Sequence, residues 1–398
     1  MEHMNHRECL KPKKLRTIDF ISFLMGFSQA ILIYVISSYF KEASGTDNVG
    51  FFYFISYATV LIALLNFHKI IRKFGKFKTF AFIYIIKIGI IAALAVLPAS
   101  IFGSLFLMAY IIFGTLGWTA MDIILESYSV DKRSGRIRGL YLTITNAGFI
   151  FGPFISSHIL ETCGFSAIFI ISLVLHVLEY LIAYRSLRGA NHEHSKKETI
   201  KEVLARVARR PNILKAYYIS FVLDCFYAVM VVFSPLYLLS IGMSWDQIGL
   251  IFTAMLVPFV MFQYPAGVLA DKKYGEKKLI ILSLFIIGFS TLAVFFSKSD
   301  GFLFWLIVMF ISRIGASLLE ITRDSYFYKR IDGDDIDLID FFRTSRPAAY
   351  LVSTFASTLL LLYFSMQSVF LFLAIVIFIG LYPAFKLADN QVVKECEE

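Results

Sequence analysis

The fold class this sequence predicts is an all-α membrane protein: twelve transmembrane helices in two pseudo-symmetric six-helix bundles, both termini cytoplasmic. Three observations carry that expectation. The composition is too apolar for a soluble domain, apolar runs of membrane-spanning length recur along the chain, and the second half repeats the first. Of 398 residues, 58% are hydrophobic and only 17% charged, and the mean hydropathy is +0.72. The abundant Phe and Tyr suit lipid-facing surfaces and interfacial belts.

A bilayer core of about 30 Å takes roughly 20 helical residues. Runs of that length begin near Thr17, Val49, Thr79, Phe102, Gly139 and Phe165, and again near Tyr217, Ile248, Leu279, Phe302, Leu338 and Ser368. Barrel strands would alternate apolar and polar residues over about ten positions, and these runs do not. Lipid offers the backbone no hydrogen-bond partner, so the spans are expected to be helices. The basic start of the chain resembles a signal peptide, but the run from Ile18 to Phe40 is too long for one and reads as a retained first helix.

The net charge of +9 does not point to nucleic acid, because the basic residues sit in short loops between apolar runs. Of the 38 Lys and Arg residues, 31 fall in segments that are cytoplasmic if both termini are inside, and only Lys41 and Lys298 fall in external loops. That asymmetry sets the orientation. The expected organisation is a cytoplasmic tail over 1–16, a six-helix half over 17–185, a linker over 186–215, a second half over 216–386 and a tail over 387–398. In the linker, Ile200, Val203, Leu204 and Val207 share one helical face with basic residues around it, as in a helix lying on the anionic inner leaflet. Cys9, Cys163, Cys225 and Cys396 have neither metal-ligand nor disulfide spacing.

The halves match at an offset near 200 residues. Asp47-Asn48-Val49-Gly50 matches Asp246-Gln247-Ile248-Gly249, Tyr39 matches Tyr237, and Gly75 matches Gly275. Gly117…Asp122-x-x-x-Glu126-Ser127-Tyr128 matches Gly315…Glu320-x-x-x-Asp324-Ser325-Tyr326. Two like-oriented six-helix repeats around a midplane site form a transporter design, because one half can rock against the other.

The loop Gly267-Val-Leu-Ala-Asp271-Lys-Lys-Tyr-Gly275-Glu-Lys-Lys resembles the signature loop of the major facilitator superfamily, with one extra residue between Asp271 and Gly275. The resemblance implies secondary transport by alternating access. It also implies that Asp271 pairs with Arg323 as a cytoplasmic latch. Ile71 and Leu125 stand at the equivalent first-half positions, so acid and base are absent there together. Gly148-x3-Gly152-Pro153 in the fifth span resembles the glycine–proline motif of drug–proton antiporters, although close helix packing explains it equally well.

Charged residues inside spans are the other functional candidates. Asp122 with Glu126, and Glu320 with Asp324, lie one helical turn apart, and Arg138, Arg343 and Arg346 are their expected counter-ions. Glu126, Asp324 and these arginines read as a gating network, and Asp122 and Glu320 as candidates for proton coupling. Arg313, midway along the tenth span, either binds an anionic solute, tunes a carboxylate, or pairs with Glu320 or Asp224. Asp224, whose repeat counterpart is Gly26, is a candidate proton carrier. Gln29, Trp118, Asn146, Tyr227 and Gln263 lie on spans that line the cavity in this superfamily. Lys87 and Glu179 are expected to form a buried ion pair, with His176 beside it.

The function these features imply is secondary active transport of a small organic solute by alternating access, with proton coupling expected and efflux favoured slightly over uptake. Uptake symport and a non-transporting sensor or scaffold are the alternatives. No Walker loop, zinc-protease motif or nucleophile elbow is present in the sequence, so neither ATP drive, a cofactor, a metal nor an enzyme activity is expected. The expected partners are the solute, protons and lipid, for a monomer that binds no nucleic acid.

Overall fold

The computed structural model describes residues 12–126, 134–188, 200–297, 301–331 and 336–389, and the regular elements among them are all helices. About ten of these are long and apolar enough to cross a bilayer. The chain divides into two compact units, residues 1–44 with 59–195 and residues 45–58 with 196–398.

Unit 1 holds α1 (Pro12–Ile33), α2 (Ile36–Ser44), most of α3 (Gly50–Phe74), α4 (Lys76–Val96), α5 (Ile101–Glu126) and α6 (Ser134–Leu187). The first span is α1 and α2, separated by a turn at Tyr34 and Val35. Within the long α6, Gly164 has φ 74° and breaks the helical path, a conformation that costs an L side chain but not glycine. The core joins Ile18 and Met25 of α1, Phe67 and Ile71 of α3, Phe80 and Tyr84 of α4, and Met121 and Leu125 of α5.

The glycines of the proline motif set how closely α1 and α6 approach. A Cβ on Gly148 would stand 2.3 Å from the Phe23 carbonyl oxygen, and one on Gly152 would stand 2.2 Å from the Ala30 Cβ. Gly26 answers from α1, where a Cβ would stand 2.3 Å from the Thr145 carbonyl oxygen. Backbone meets backbone along this seam. Gly152→Val is expected to destabilise the protein by about 1–3 kcal/mol through overpacking. Gly89→Ala, where a Cβ would meet nothing within 4 Å, is the control and leaves the melting temperature in detergent unchanged or raised.

Unit 2 holds α7 (Ile200–Arg209), α8 (Pro211–Ser240), α9 (Trp245–Ala254), α10 (Val257–Leu269), α11 (Glu276–Phe296), α12 (Phe302–Tyr328), α13 (Ile336–Arg343), α14 (Ser345–Leu360), α15 (Gln367–Ile379) and α16 (Leu381–Phe385). Ser244 caps α9 in a box closed by Gln247, which satisfies two N-terminal N–H groups reciprocally. Pro258 lacks an N–H and sits just inside α10, after the break at Met255 and Leu256. The start of α3 belongs with this unit: Gly50 lies against α14, and the Tyr57 and Tyr350 rings pack with centroids 4.4 Å apart. The apolar face of α7 is not wholly turned to lipid, because Val203 and Val207 are buried and α7 packs on α8 and α13, while Leu204 is exposed.

The repeat is written into matching contacts. Tyr39 packs edge-on against Phe169 at 5.6 Å, and Tyr237 packs edge-on against Phe370 at 5.4 Å. Gly75 and Gly275, with φ 88° and 73°, open α4 and α11 alike. The extra residue before Gly275 is taken up by a single π turn over Ala270–Tyr274, the usual way a helix absorbs an insertion.

Candidate functional site in the C-terminal unit

Most of the charged residues singled out in the second half meet along the seam between α8 and α12. On α12, Arg313 and Glu320 are seven residues apart and Arg323 is three further on, so all three share one helical face. On α8, Asp224 and Tyr227 are three apart. The facing residues form three rungs.

The first rung is ionic. Asp224, 2% exposed, has Oδ2 at 3.5 Å from Arg323 Nη1, and Oδ2 accepts hydrogen bonds from Ser345 Oγ at 2.5 Å and Ser220 Oγ at 3.4 Å. Arg323 also donates to Ser220, at 2.5 Å to its hydroxyl and 3.3 Å to its carbonyl, and its Nε lies 3.3 Å from Asp324 Oδ1. Arg346 Nε stands 4.0 Å from Asp224 Oδ1. Three helices, α8, α12 and α14, are thereby tied through one buried carboxylate. That geometry departs from the expectation of Asp224 as a free proton carrier, since its charge is engaged by a cation and two hydroxyls.

The second rung is neutral on the donor side. Tyr227 Oη donates to Glu320 Oε2 at 3.1 Å, and Gln263 Nε2 donates to the same oxygen at 3.3 Å. Among the described residues, no cation lies within ion-pair distance of Glu320. The third rung is Arg313, 2% exposed. Its guanidinium carbon lies 4.9 Å from the Phe226 ring centre and 5.6 Å from that of Tyr227. Neither Nε nor Nη2 makes a hydrogen bond. The expected alternatives of pairing with Glu320 or Asp224 are not realised. Arg346, 63% exposed, extends over the same Tyr227 ring at 5.9 Å.

The latch implied by the signature loop takes another form. Asp271 Oδ1 accepts from Lys329 Nζ at 2.6 Å, not from Arg323, and the same ammonium donates to Glu276 Oε1 at 2.5 Å. Ser325 Oγ adds a hydrogen bond to Glu276 Oε1 at 3.0 Å. Burial works against the Lys329 charge, but the Asp271 and Glu276 hydrogen bonds outweigh it and hold its pKa above the ordinary lysine value. Gly267 of α10 faces Ile321 of α12, and a Cβ there would stand 3.7 Å from Ile321 Cγ1, an ordinary contact that does not require glycine.

The remaining candidates are placed but not assembled. Gln29, Trp118, Asp122 and Asn146 are half-buried in unit 1, and Arg343 ends α13 in unit 2. The side chains of Glu126 and Arg138 lie outside the described residues. Ser220, Ser345, Glu276 and Lys329 escaped the sequence reading. Ser220 carried a signal, since it lies four residues before Asp224 and shares its helical face. An apolar groove of about 420 Å³ between α11 and α12, lined by Phe285, Phe289, Val308 and Ile311, holds none of these charges and reads as a lipid-facing crevice.

A sequence model of the Major Facilitator Superfamily matches residues 18–246 and again residues 226–395. The chain belongs to the Major Facilitator Superfamily. It is a multi-pass integral protein of the plasma membrane, in a family of secondary transporters. Among its superfamily relatives, the uncharacterized MFS-type transporter YfkF of Bacillus subtilis (strain 168) is 24% identical over 290 residues, covering 66% of this chain and 66% of that protein. The chain thus spans just under two thirds of that relative's length. A crystal structure of a mutant form of the nucleoside transporter NupG superposes with a TM-score of 0.71 at 14% identity, covering 94% of this chain and 99% of that one. That likeness establishes the superfamily fold.

Proposed function

We propose that this protein moves a small organic anion across the membrane by alternating access of its two halves, coupled to protons through Glu320. The observation that carries the reading is Arg313, a buried guanidinium with no hydrogen bond or ion pair among the described residues. Burying a charge costs several kcal/mol unless a partner is supplied, and an anionic solute is the partner such a site takes. The Phe226 and Tyr227 faces hold the cation and provide an apolar shelf for the solute's carbon skeleton.

Glu320 suits proton exchange better than Asp224. Its two donors are a phenol and an amide, so it can gain or lose a proton without orphaning a buried cation. Twelve spans follow from the ten long apolar helices if the candidate span over Thr143–Leu187 is counted as two at Gly164 and the shorter α14 is added. Both termini are then cytoplasmic by the distribution of basic residues. We assign export as the direction, on the resemblance of Gly148, Gly152 and Pro153 to the antiporter motif.

The test is flux into proteoliposomes under an imposed pH gradient, with organic anions, neutral solutes and organic cations compared side by side. Anions alone are expected to follow the gradient, and its sign gives the direction. Glu320→Gln is expected to abolish gradient-driven accumulation by at least about tenfold while counterflow exchange persists. Movement of neutral or cationic solutes with no anion transport would refute the reading.

A further inference from the structure

Unit 1 buries a second set of ionisable groups that the proposed transport site does not use. Lys87 on α4 is 3% exposed, and His176 and Glu179 on α6 are fully buried. Two rings bring them together. Lys87 Nζ lies 4.6 Å from the Tyr84 ring centre and 5.5 Å from that of Tyr110, and the His176 ring centre lies 6.2 Å and 5.9 Å from the same two rings. Glu179 lies close enough for its charge to act on Lys87, Tyr84 and Tyr110. Gly117 of α5 packs beside the cluster, the position of a Cβ there lying 3.4 Å from Tyr84 Cε2 and 3.9 Å from Lys87 Cδ, ordinary contact distances.

The ion pair expected between Lys87 and Glu179 is not formed. Both carboxylate oxygens of Glu179 lack a hydrogen bond, and the Tyr84 hydroxyl is likewise unpartnered. The Tyr84 and Ser28 hydroxyls stand near Glu179 but neither makes a hydrogen bond to it, and Ser28 Oγ donates to the Met25 carbonyl at 3.1 Å. The ammonium is held by aromatic faces, not by the carboxylate. His176 adds an acceptor. Its Nδ1 lies 2.7 Å from the Ser172 carbonyl oxygen. A carbonyl only accepts, so Nδ1 carries the hydrogen, and the neutral ring leaves a lone pair on Nε2, which is buried and without a partner.

We propose that Glu179, with His176 on the same face of α6, is a second proton-binding site, located in the N-terminal half and separate from Glu320. The step forms one O–H bond on Glu179, with the proton delivered by hydronium and water left behind. The charge of the Lys87–Glu179 pair then rises from zero to +1. Because the two rings hold the Lys87 charge, protonating Glu179 does not leave that cation unsupported. A buried carboxylate without donors is costly as an anion, and a proton removes that cost. The groups facing the site are Tyr84 and Lys87 from α4, Tyr110 from α5, Tyr141 and His176 from α6, and the neutral Ser28 from α1.

Infrared difference spectra of the purified full-length protein, taken between acid and alkaline pH, test this with no solute present. They therefore read the site whether or not the anion assignment holds. A protonated-carboxyl component at the high frequency of a carboxyl without hydrogen-bond partners is expected in the wild type, lost from Glu179→Gln and retained in Glu320→Gln, while the bands of the other carboxyls persist in both. Removing the neighbouring positive charge with Lys87→Met should move that band's midpoint to higher pH by about one unit or more. A Glu179→Gln spectrum superimposable on the wild type, or a midpoint unmoved by Lys87→Met, would overturn the proposal.

Discussion

Arg313→Gln is expected to weaken solute binding by roughly 10- to 100-fold, the worth of a charge-assisted hydrogen bond at a buried site. Arg313→Lys should fall between, since an ammonium keeps the charge but loses the planar fork that meets a carboxylate or phosphate at two points. The companion readout is stability without solute, and there the sign is unusual. Arg313 is buried with no hydrogen bond on Nε or Nη2, so the empty protein bears a desolvation cost of several kcal/mol. The two aromatic faces return only about 0.5–2 kcal/mol. Replacing the guanidinium by a neutral amide is therefore expected to leave the melting temperature unchanged or raise it. Added anion should then stabilise the wild type with the logarithm of its concentration above Kd, and the variant hardly at all. A strongly destabilised Arg313→Gln would make this arginine structural and remove the main support for an anionic solute.

The sequence disclosed the repeat, and the structure supplies its meaning at individual residues. Asp224 and Gly26 occupy equivalent positions. Asp224 bonds to Ser345, and Gly26 lies against Thr145, two partners that themselves match at the repeat offset near 200 residues. One half closes this helix crossing by backbone contact and the other by a hydrogen bond to a buried carboxylate. Sequence alone could mark the difference but not its consequence, because a side chain's partner depends on which helices adjoin and at what height.

The same limit explains the misplaced latch. Ile71 and Leu125 stand where an Asp271–Arg323 pair would repeat in the first half, and both sit in one apolar core cluster. Gly26 is missing an acid equally well, so joint absence could not choose between Asp271 and Asp224 as the partner of Arg323. Geometry chooses Asp224, and Asp271 turns to Lys329. The extra residue in the signature loop was visible as a departure, but its outcome as a π turn needed the path of the backbone. Lys87 and Glu179 stand out in the sequence by their improbable depth, while the rings that hold the Lys87 ammonium do not, since aromatic residues are too common in this chain.

Breaking the Asp224–Arg323 rung gives the largest expected loss of stability. Asp224→Ala strands a guanidinium that is 9% exposed, leaving it the Ser220 oxygens and Asp324. Arg323→Leu strands a carboxylate that is 2% exposed, leaving it two hydroxyl donors and the distant Arg346. Removing one member of a buried pair costs about 3–5 kcal/mol, mostly through the charge left behind, whereas replacing both by apolar groups is often nearly neutral. The double variant Asp224→Ala with Arg323→Leu reproduces the chemistry of unit 1, where Gly26 and Leu125 stand. It is expected to be more stable than either single variant, with a coupling of about 2 kcal/mol or more. The measurement is a double-mutant cycle by thermal or denaturant unfolding in detergent. Additive losses would show that the two side chains stabilise the protein independently, and α8 would then be tied to α14 by the Ser220–Ser345 contact at 2.8 Å and to α12 by the Arg323–Ser220 hydrogen bonds, and not by the ion pair.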